Sequence, residues 1–388
     1  MLDSFFNPLR NYFNVRSFEH FKVFCALMAL SSDSKTVSRL SSFLAFGPSR
    51  GKRNDFLIQS PWDEQQVLKH TAMDQLRDLY RPGEPLFLII DDSKKAKRGK
   101  HVEAVLKVFD PAAKRFITGH QFVTGTLYYR GITIPFALRL YLNRKSAKAL
   151  KQGFKRLTAL AVEIIEALQL PEAFKAKVYV LVDSYYFNQT ILKAAKAKGF
   201  FVIGALKKNR NLLIRGRKCK LGIYMHNLFK RETKQSTTVQ TQKGKRRDHY
   251  VWNTYTVSRV PDPLKVVFSK RGKQRNLLAI ACTDLKLSAS SIILYYTFRW
   301  SIGASREGRI NQSVRVRPEL RNPRLRSLGG TVAREQDGEA LGQHPLKGGC
   351  ATLQVASRIN ADVASLHANP VAEAVDNGRR QQGLLRWI

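Results

Sequence analysis

Two acids stand where apolar runs that read as buried strands come to an end. In "FLIIDDS" the acid is Asp91 or Asp92, and in "VLVDSYY" it is Asp183. In sheets flanked by helices, groups at strand ends are the ones displayed to ligands. A carboxylate leaving a hydrophobic strand needs a counter-charge, and a divalent cation supplies one. Two such carboxylates brought together can hold Mg²⁺ for metal-assisted phosphoryl chemistry. Taken singly, either acid could equally terminate a strand and begin a turn. The run "KKAKRGK" follows the first acid and puts Lys94, Lys95, Lys97, Arg98 and Lys100 within seven residues. It reads as a solvated loop or as a set of contacts to nucleic-acid backbone phosphates.

The whole chain shares that charge. Its 388 residues carry 67 Lys and Arg against 29 Asp and Glu, a formal net charge of +38. Charge speaks to partners rather than to fold, and each phosphate neutralised releases counterions and adds affinity. A nucleic-acid partner is therefore expected, against the alternative of non-specific stickiness. Cys25, Cys219, Cys282 and Cys350 lie far apart with no CxxC spacing, which argues against a disulfide framework or a zinc site. The first residues, "MLDSFFNPLRNYFNV", show neither a basic lead nor a long apolar core, and no run is long enough to span a membrane. A cytoplasmic, nucleoid-associated protein without membrane contact is expected.

The elements that must position these groups follow from the hydrophobic periodicity. Residues 1–80 read as a helical N-terminal domain: "SFEHFKVFCALMAL", "SKTVSRLSSFLAF" and "SPWDEQQVLKHTAMDQLRDLY" show helical spacing. This domain is either a DNA-binding module or a packing cap. "GPSRGKRN" (47–54) lacks the spacing of a phosphate-binding loop and reads as a basic loop. From 86 to 205 the pattern gives consecutive strands, a long helix over "SAKALKQGFKRLTALAVEIIEALQL", then strand, helix and strand. The class is α/β: a mixed sheet covered by helices. Residues 206–285 read as a β-rich insertion, with "KGKRR" (243–247) as a loop, and 286–302 as the start of a further helix.

Three stretches carry a family resemblance: "IIDDSKKAKRGKHVEAVLKVFD", "VYVLVDSYYFNQTILKAAKAKGFFVIGALKKNR" and "YYTFRW". Their order and context resemble DDE transposases of the insertion-sequence 4 type, over about residues 10–302. The resemblance implies a ribonuclease-H-like core interrupted by a β-rich insertion before its last helix. It implies that Asp91, in the Asp-x-Ser pattern Asp91-Asp92-Ser93, is the first catalytic acid, with Asp92 as the alternative, and that Asp183 is the second. Both would bind Mg²⁺ (or Mn²⁺), for strand cleavage at transposon ends and strand transfer into target DNA. Expected partners are double-stranded DNA, as terminal repeats and as target, and a second copy of the chain.

The same family carries a Tyr-x2-Arg-x3-Glu-x6-Lys signature on the last helix. Tyr296 and Arg299 fit it as DNA-contacting residues, but Gly303 and Ile310 stand where Glu and Lys are expected. The third acid is thus absent at Gly303. Glu307 is the nearest acid beyond it, and Gly303 and Gly308 weaken the helix that would have to present it. Beyond Ile302 the composition changes altogether: residues 303–388 hold a single Lys and 12 Arg, no Phe or Tyr, and one Trp. This tail offers little to build a core and is expected to be disordered. A shift of reading frame at or just after the codon for Ile302 would account for it, and predicts a polypeptide impaired in catalysis.

Overall fold

The computed structural model describes residues 5–30, 37–42, 49–97, 102–110, 114–241, 244–272 and 277–300. Contacts divide the chain into two units, the first running to Pro61 and the second taking up from Trp62. In the first unit a 3₁₀ turn, Asn7–Tyr12, is followed by helices α1 (Val15–Leu30), α2 (Val37–Ser41) and α3 (Arg50–Gln59). Phe18, Leu27, Leu40, Phe56 and Leu57 are buried within it. Helix α3 includes much of the stretch expected to be a basic loop. Ser49 starts the helix by accepting from Lys52 N, an N-cap that a reading for phosphate-loop glycines passes over.

The second unit opens with α4 (Glu64–Leu79), capped by Asp63, whose Oδ1 accepts from Gln65 N and Gln66 N. Although expected within a helical domain of 1–80, α4 sends Ala72, Met73 and Leu76 into the core of the sheet. The strands follow as β1 (Leu86–Ala96), β2 (Leu106–Asp110), β3 (Arg115–Tyr129) and β4 (Ile132–Tyr141). Next come α5 (Arg144–Ala149) and α6 (Leu157–Ala167), where one long helix was expected. Lys151 lies in the left-handed region at φ 52°, which ends the helical path between them. Strand β5 (Val178–Val182), α7 (Gln189–Ala197) and β6 (Phe201–Ala205) complete the core strands.

The inserted segment supplies β7 (Asn211–Ile214), β8 (Arg217–Lys220), α8 (Leu221–Arg231), β9 (Gln235–Thr241), β10 (Gly244–Val257), β11 (Leu264–Arg271) and β12 (Leu277–Cys282). The segment "KGKRR", expected to be a loop, largely belongs to β10, which begins at Gly244 with φ 107°. Helix α9 (Ala289–Phe298) follows, capped by Ser288.

The described strands form a single sheet in the order β2-β3-β1-β5-β6-β12-β11-β10-β7-β8, with β4 paired to β3 and β9 to β10. Within it, β4-β3-β1-β5-β6 is the mixed core. Strand β3 runs antiparallel to both β1 and β4, while β1, β5 and β6 run parallel. Strand β12 then pairs antiparallel with β6 through Ile280–Ala205 and Cys282–Ile203, so the inserted strands extend the core sheet.

Alternation along β1 and β5 assigns the two faces. Leu86, Leu88, Ile90, Val178, Val180 and Val182 join α4, α6, α7 and α8 in one core. Phe87, Ile89, Tyr179 and Leu181 join Ala289, Ile292, Ile293 and Tyr296 of α9 in the other. Both faces of these strands are buried, which is why "FLII" and "VYVLV" read as unbroken apolar runs.

Candidate active site

Asp91 and Asp92 lie within β1 rather than at its end: the strand runs on to Ala96, and only its apolar part stops at Ile90. The ladder continues because β3 is longer still, pairing Asp91 with Thr124, Lys94 with Gln121, Lys95 with His120 and Ala96 with Gly119. Gly119 is required there, since a Cβ at that position would stand 2.1 Å from the carbonyl oxygen of Lys95. Lys94 and Lys95, expected in a basic run beyond the strand, are therefore strand residues. Lys97 follows and donates its backbone N–H to Thr118 O at 3.0 Å. Its amine is drawn below its usual range by burial and then by the neighbouring charge of Lys95. Arg98 and Lys100 fall outside the described residues.

The register of the parallel pair separates the two acids of the doublet. Strands β1 and β5 match Phe87 with Tyr179 and Ile89 with Leu181. Continued by two residues, that register sets Asp91 beside Asp183, on the face covered by α9. Asp92 takes the opposite parity. Its Oδ2 accepts from Lys94 Nζ at 2.9 Å and from Gln121 Nε2 at 3.0 Å, which holds it on the far face.

Asp183 follows β5 directly. Its Oδ1 accepts from the backbone N–H groups of Tyr185 (2.9 Å) and Tyr186 (3.0 Å), a turn that leads into the Asn188 cap of α7. Gly204, paired with Val182, makes that turn compact: a Cβ there would meet Phe187 Cδ2 at 2.5 Å and Val182 Cγ2 at 2.7 Å. Tyr186 is fully buried, and its hydroxyl has no hydrogen-bond partner among the described residues. Burial, followed by the charges of Asp92 and Asp183, pushes that phenol well above its usual range.

Helix α9 brings Tyr296 and Arg299 to the same face. Arg299, at the C-cap, places Nη1 3.7 Å from Asp91 Oδ2. Its guanidinium lies 4.4 Å from the Trp300 ring centre and 5.7 Å from that of Tyr296. Tyr296 is buried, and burial raises its phenol's pKa. Arg299 and Arg271 oppose the shift, and the charge of Asp183 adds to it. Tyr296 therefore lies within electrostatic reach of the second acid. Gly303 and Glu307 lie outside the described residues.

The donor chemistry suits a hard divalent cation, since Asp91 and Asp183 offer carboxylate oxygens from neighbouring strands. Among the described residues no group of three His, Cys, Asp or Glu side chains could hold a metal. The pair thus fits the Mg²⁺ or Mn²⁺ expectation as two ligands of an unfinished set.

A family of DDE superfamily endonucleases matches residues 8–258, more than half of the chain and a span that includes both acids. The chain belongs to this family. In this DDE-family chain the β1–β5 register, continued past the strand, brings Asp91 and Asp183 side by side. A curated relative from Microchaete diplosiphon, described as a probable transposase for insertion sequence element IS701, is 27% identical over 173 residues. That match spans 45% of this chain and 44% of the relative, so the chain spans under half the length of the relative it matches. Among solved structures, the Drosophila P element transposase strand transfer complex matches at a TM-score of 0.24 and 12% identity. That match covers 54% of this chain and 49% of the other.

The sequence singled out the two acids, Tyr296 and Arg299 as candidates. It did not single out Gln121, which donates to Asp92, or Arg271 beside Tyr296. Both lie in stretches where nothing in residue type sets them apart from their neighbours.

Proposed function

We propose that this chain is a DNA transposase of the DDE type, whose strand cleavage and strand transfer at transposon ends are impaired by the glycine at position 303. The observation that carries the reading is the parity of Asp91 with Asp183 beneath the helix that bears Tyr296 and Arg299. Asp91 and Asp183 would hold Mg²⁺ or Mn²⁺, which when bound polarises a phosphoryl oxygen and activates the attacking hydroxyl. Arg299 balances Asp91 and would meet a phosphate. Lys95 and Lys97, with Arg98 and Lys100, add backbone contacts that carry affinity without sequence information. Lys94 contributes less, because its amine is already engaged by Asp92. Double-stranded DNA is the partner this reading requires; a homodimer and a cytoplasmic, nucleoid-associated location accompany it. No helix among the described residues is long and apolar enough to cross a membrane.

The missing glutamate favours a second reading, a non-catalytic DNA-binding remnant of a transposase. Incubating the protein with Mn²⁺ and a duplex made from the gene's own flanking repeats separates the two. Cleavage that is lost in Asp183→Ala supports residual transposase activity, whereas binding without cleavage supports the remnant. Absence of inverted repeats around the gene would point instead to a nuclease on the same core. The frame hypothesis is tested on the gene: one of the other two frames beyond codon 302 should encode a helix with Glu at its first position. If neither does, a frame shift is ruled out as the origin of Gly303.

A further inference from the structure

Arg246, Arg271 and Arg299 are electrostatic neighbours, the last of them facing Asp91, and among the described residues two carboxylates pair with them. Asp248 of β10 is fully buried and is held by Arg246 through both oxygens, Nε to Oδ1 at 2.7 Å and Nη2 to Oδ2 at 2.8 Å. Gly272 N also donates to Oδ1, at 3.2 Å. Asp91 answers Arg299 at 3.7 Å. The third arginine, Arg271, ends β11 directly opposite Asp248 in the ladder. Its guanidinium lies 5.8 Å from the centre of the Tyr296 ring, the ring that Arg299 approaches at 5.7 Å. Among the described residues no carboxylate pairs with Arg271, and Asp248, its nearest candidate, is already saturated by Arg246.

A half-buried guanidinium with no carboxylate of its own, only the charge of an Asp248 shared with Arg246, costs stability, and a fold can retain one where an anion is expected to arrive. We propose that Arg271, together with Arg299 across Tyr296, forms a phosphate seat supplied jointly by the insertion and the last helix. The seat would hold a phosphodiester of the DNA strand led to Asp91 and Asp183. This rests on the reading of the chain as a DNA-acting protein, and it gives the insertion a defined task at the site. Guanidinium suits the task because its fork of donors matches two phosphate oxygens, and two such forks fix the orientation of the group. Arg246 is the positioning residue: by satisfying Asp248 it keeps that carboxylate from claiming Arg271. Burial, with the charge of Arg246 next in size, lowers the basicity of Arg271, while Tyr296 and Asp248 oppose the shift.

The test uses the full chain and a fluorescent duplex of about 20 base pairs, titrated across a salt series. Arg271→Gln should weaken binding roughly three- to tenfold and lower the slope of log affinity against log salt by about one, with Arg271→Lys recovering part of the loss. The melting temperature of Arg271→Gln should hold or rise, because like-charge crowding is relieved. Lys286→Gln, which removes one exposed charge elsewhere, should change affinity by less than about twofold. Unchanged affinity and slope in Arg271→Gln, a fall in melting temperature with binding intact, or equal effects of the two glutamine variants would each overturn the seat. A wild-type protein that does not bind the duplex would overturn the DNA reading itself. Binding by the wild type with Arg271→Gln indistinguishable from it overturns the seat alone.

Discussion

At the scale of single residues, the doublet Asp91-Asp92 is the most instructive pair in the chain. The two side chains differ by one position and meet opposite environments, because adjacent strand residues point to opposite faces. The Asp-x-Ser pattern favours Asp91 but leaves Asp92 as an alternative; the pairing with β5 separates them by face. Mn²⁺ binding, followed by the relaxation of water protons, should therefore weaken at least tenfold, about 1.4 kcal/mol, in Asp91→Asn. It should change little in Asp92→Asn, which instead loses its contacts to Lys94 and Gln121 and melts slightly earlier. Equal loss in both variants would contradict the assignment by parity. Asp183 supports a second expectation. Its Oδ1 caps a turn, so Asp183→Asn keeps that acceptor and the fold, while Asp183→Ala should cost about 1 kcal/mol in thermal unfolding. Both should abolish metal binding; retained binding in Asp183→Asn would remove this acid from the ligand set.

At the scale of elements, what the sequence revealed depended on whether a segment's own periodicity set its fate. The apolar runs of β1 and β5 and the helical spacing of α4 and α9 were readable because burial repeats along them. The extension of β1 through Lys94 and Lys95 was not, because it exists only where β3 is long enough to pair with it. The break between α5 and α6 depends on one left-handed lysine inside an otherwise helical pattern. Helix α8 did carry a signal, with Leu221, Met225 and Phe229 buried at intervals of four, but basic neighbours on both sides masked it. The β5–β6 junction gives an element-level prediction. Gly204→Ala forces a methyl group against Phe187 and Val182, and should destabilise the fold by about 1–3 kcal/mol in denaturant unfolding. It should also weaken Mn²⁺ binding, since the Asp183 turn rests on that contact. A variant as stable as the wild type would show that the turn has room to spare.

At the scale of the whole molecule, a charge of +38 dominates any encounter with a polyanion. Affinity for duplex DNA should fall linearly with log salt, by roughly a thousandfold or more between about 50 and 200 mM if six or more phosphates are contacted. A flat salt profile would mean that the positive charge serves some other purpose. The insertion bears on a different question, namely what can be cut away from this protein. Strand β6 is an interior strand only because β12 lies against it. Excising residues 206–285 would leave a parallel strand's N–H and C=O groups facing water, an open edge able to recruit another chain. The inserted segment is thus a structural debt as well as an addition: a shortened chain should self-associate rather than survive as a minimal core, and the segment could not be grafted elsewhere without an edge to receive it.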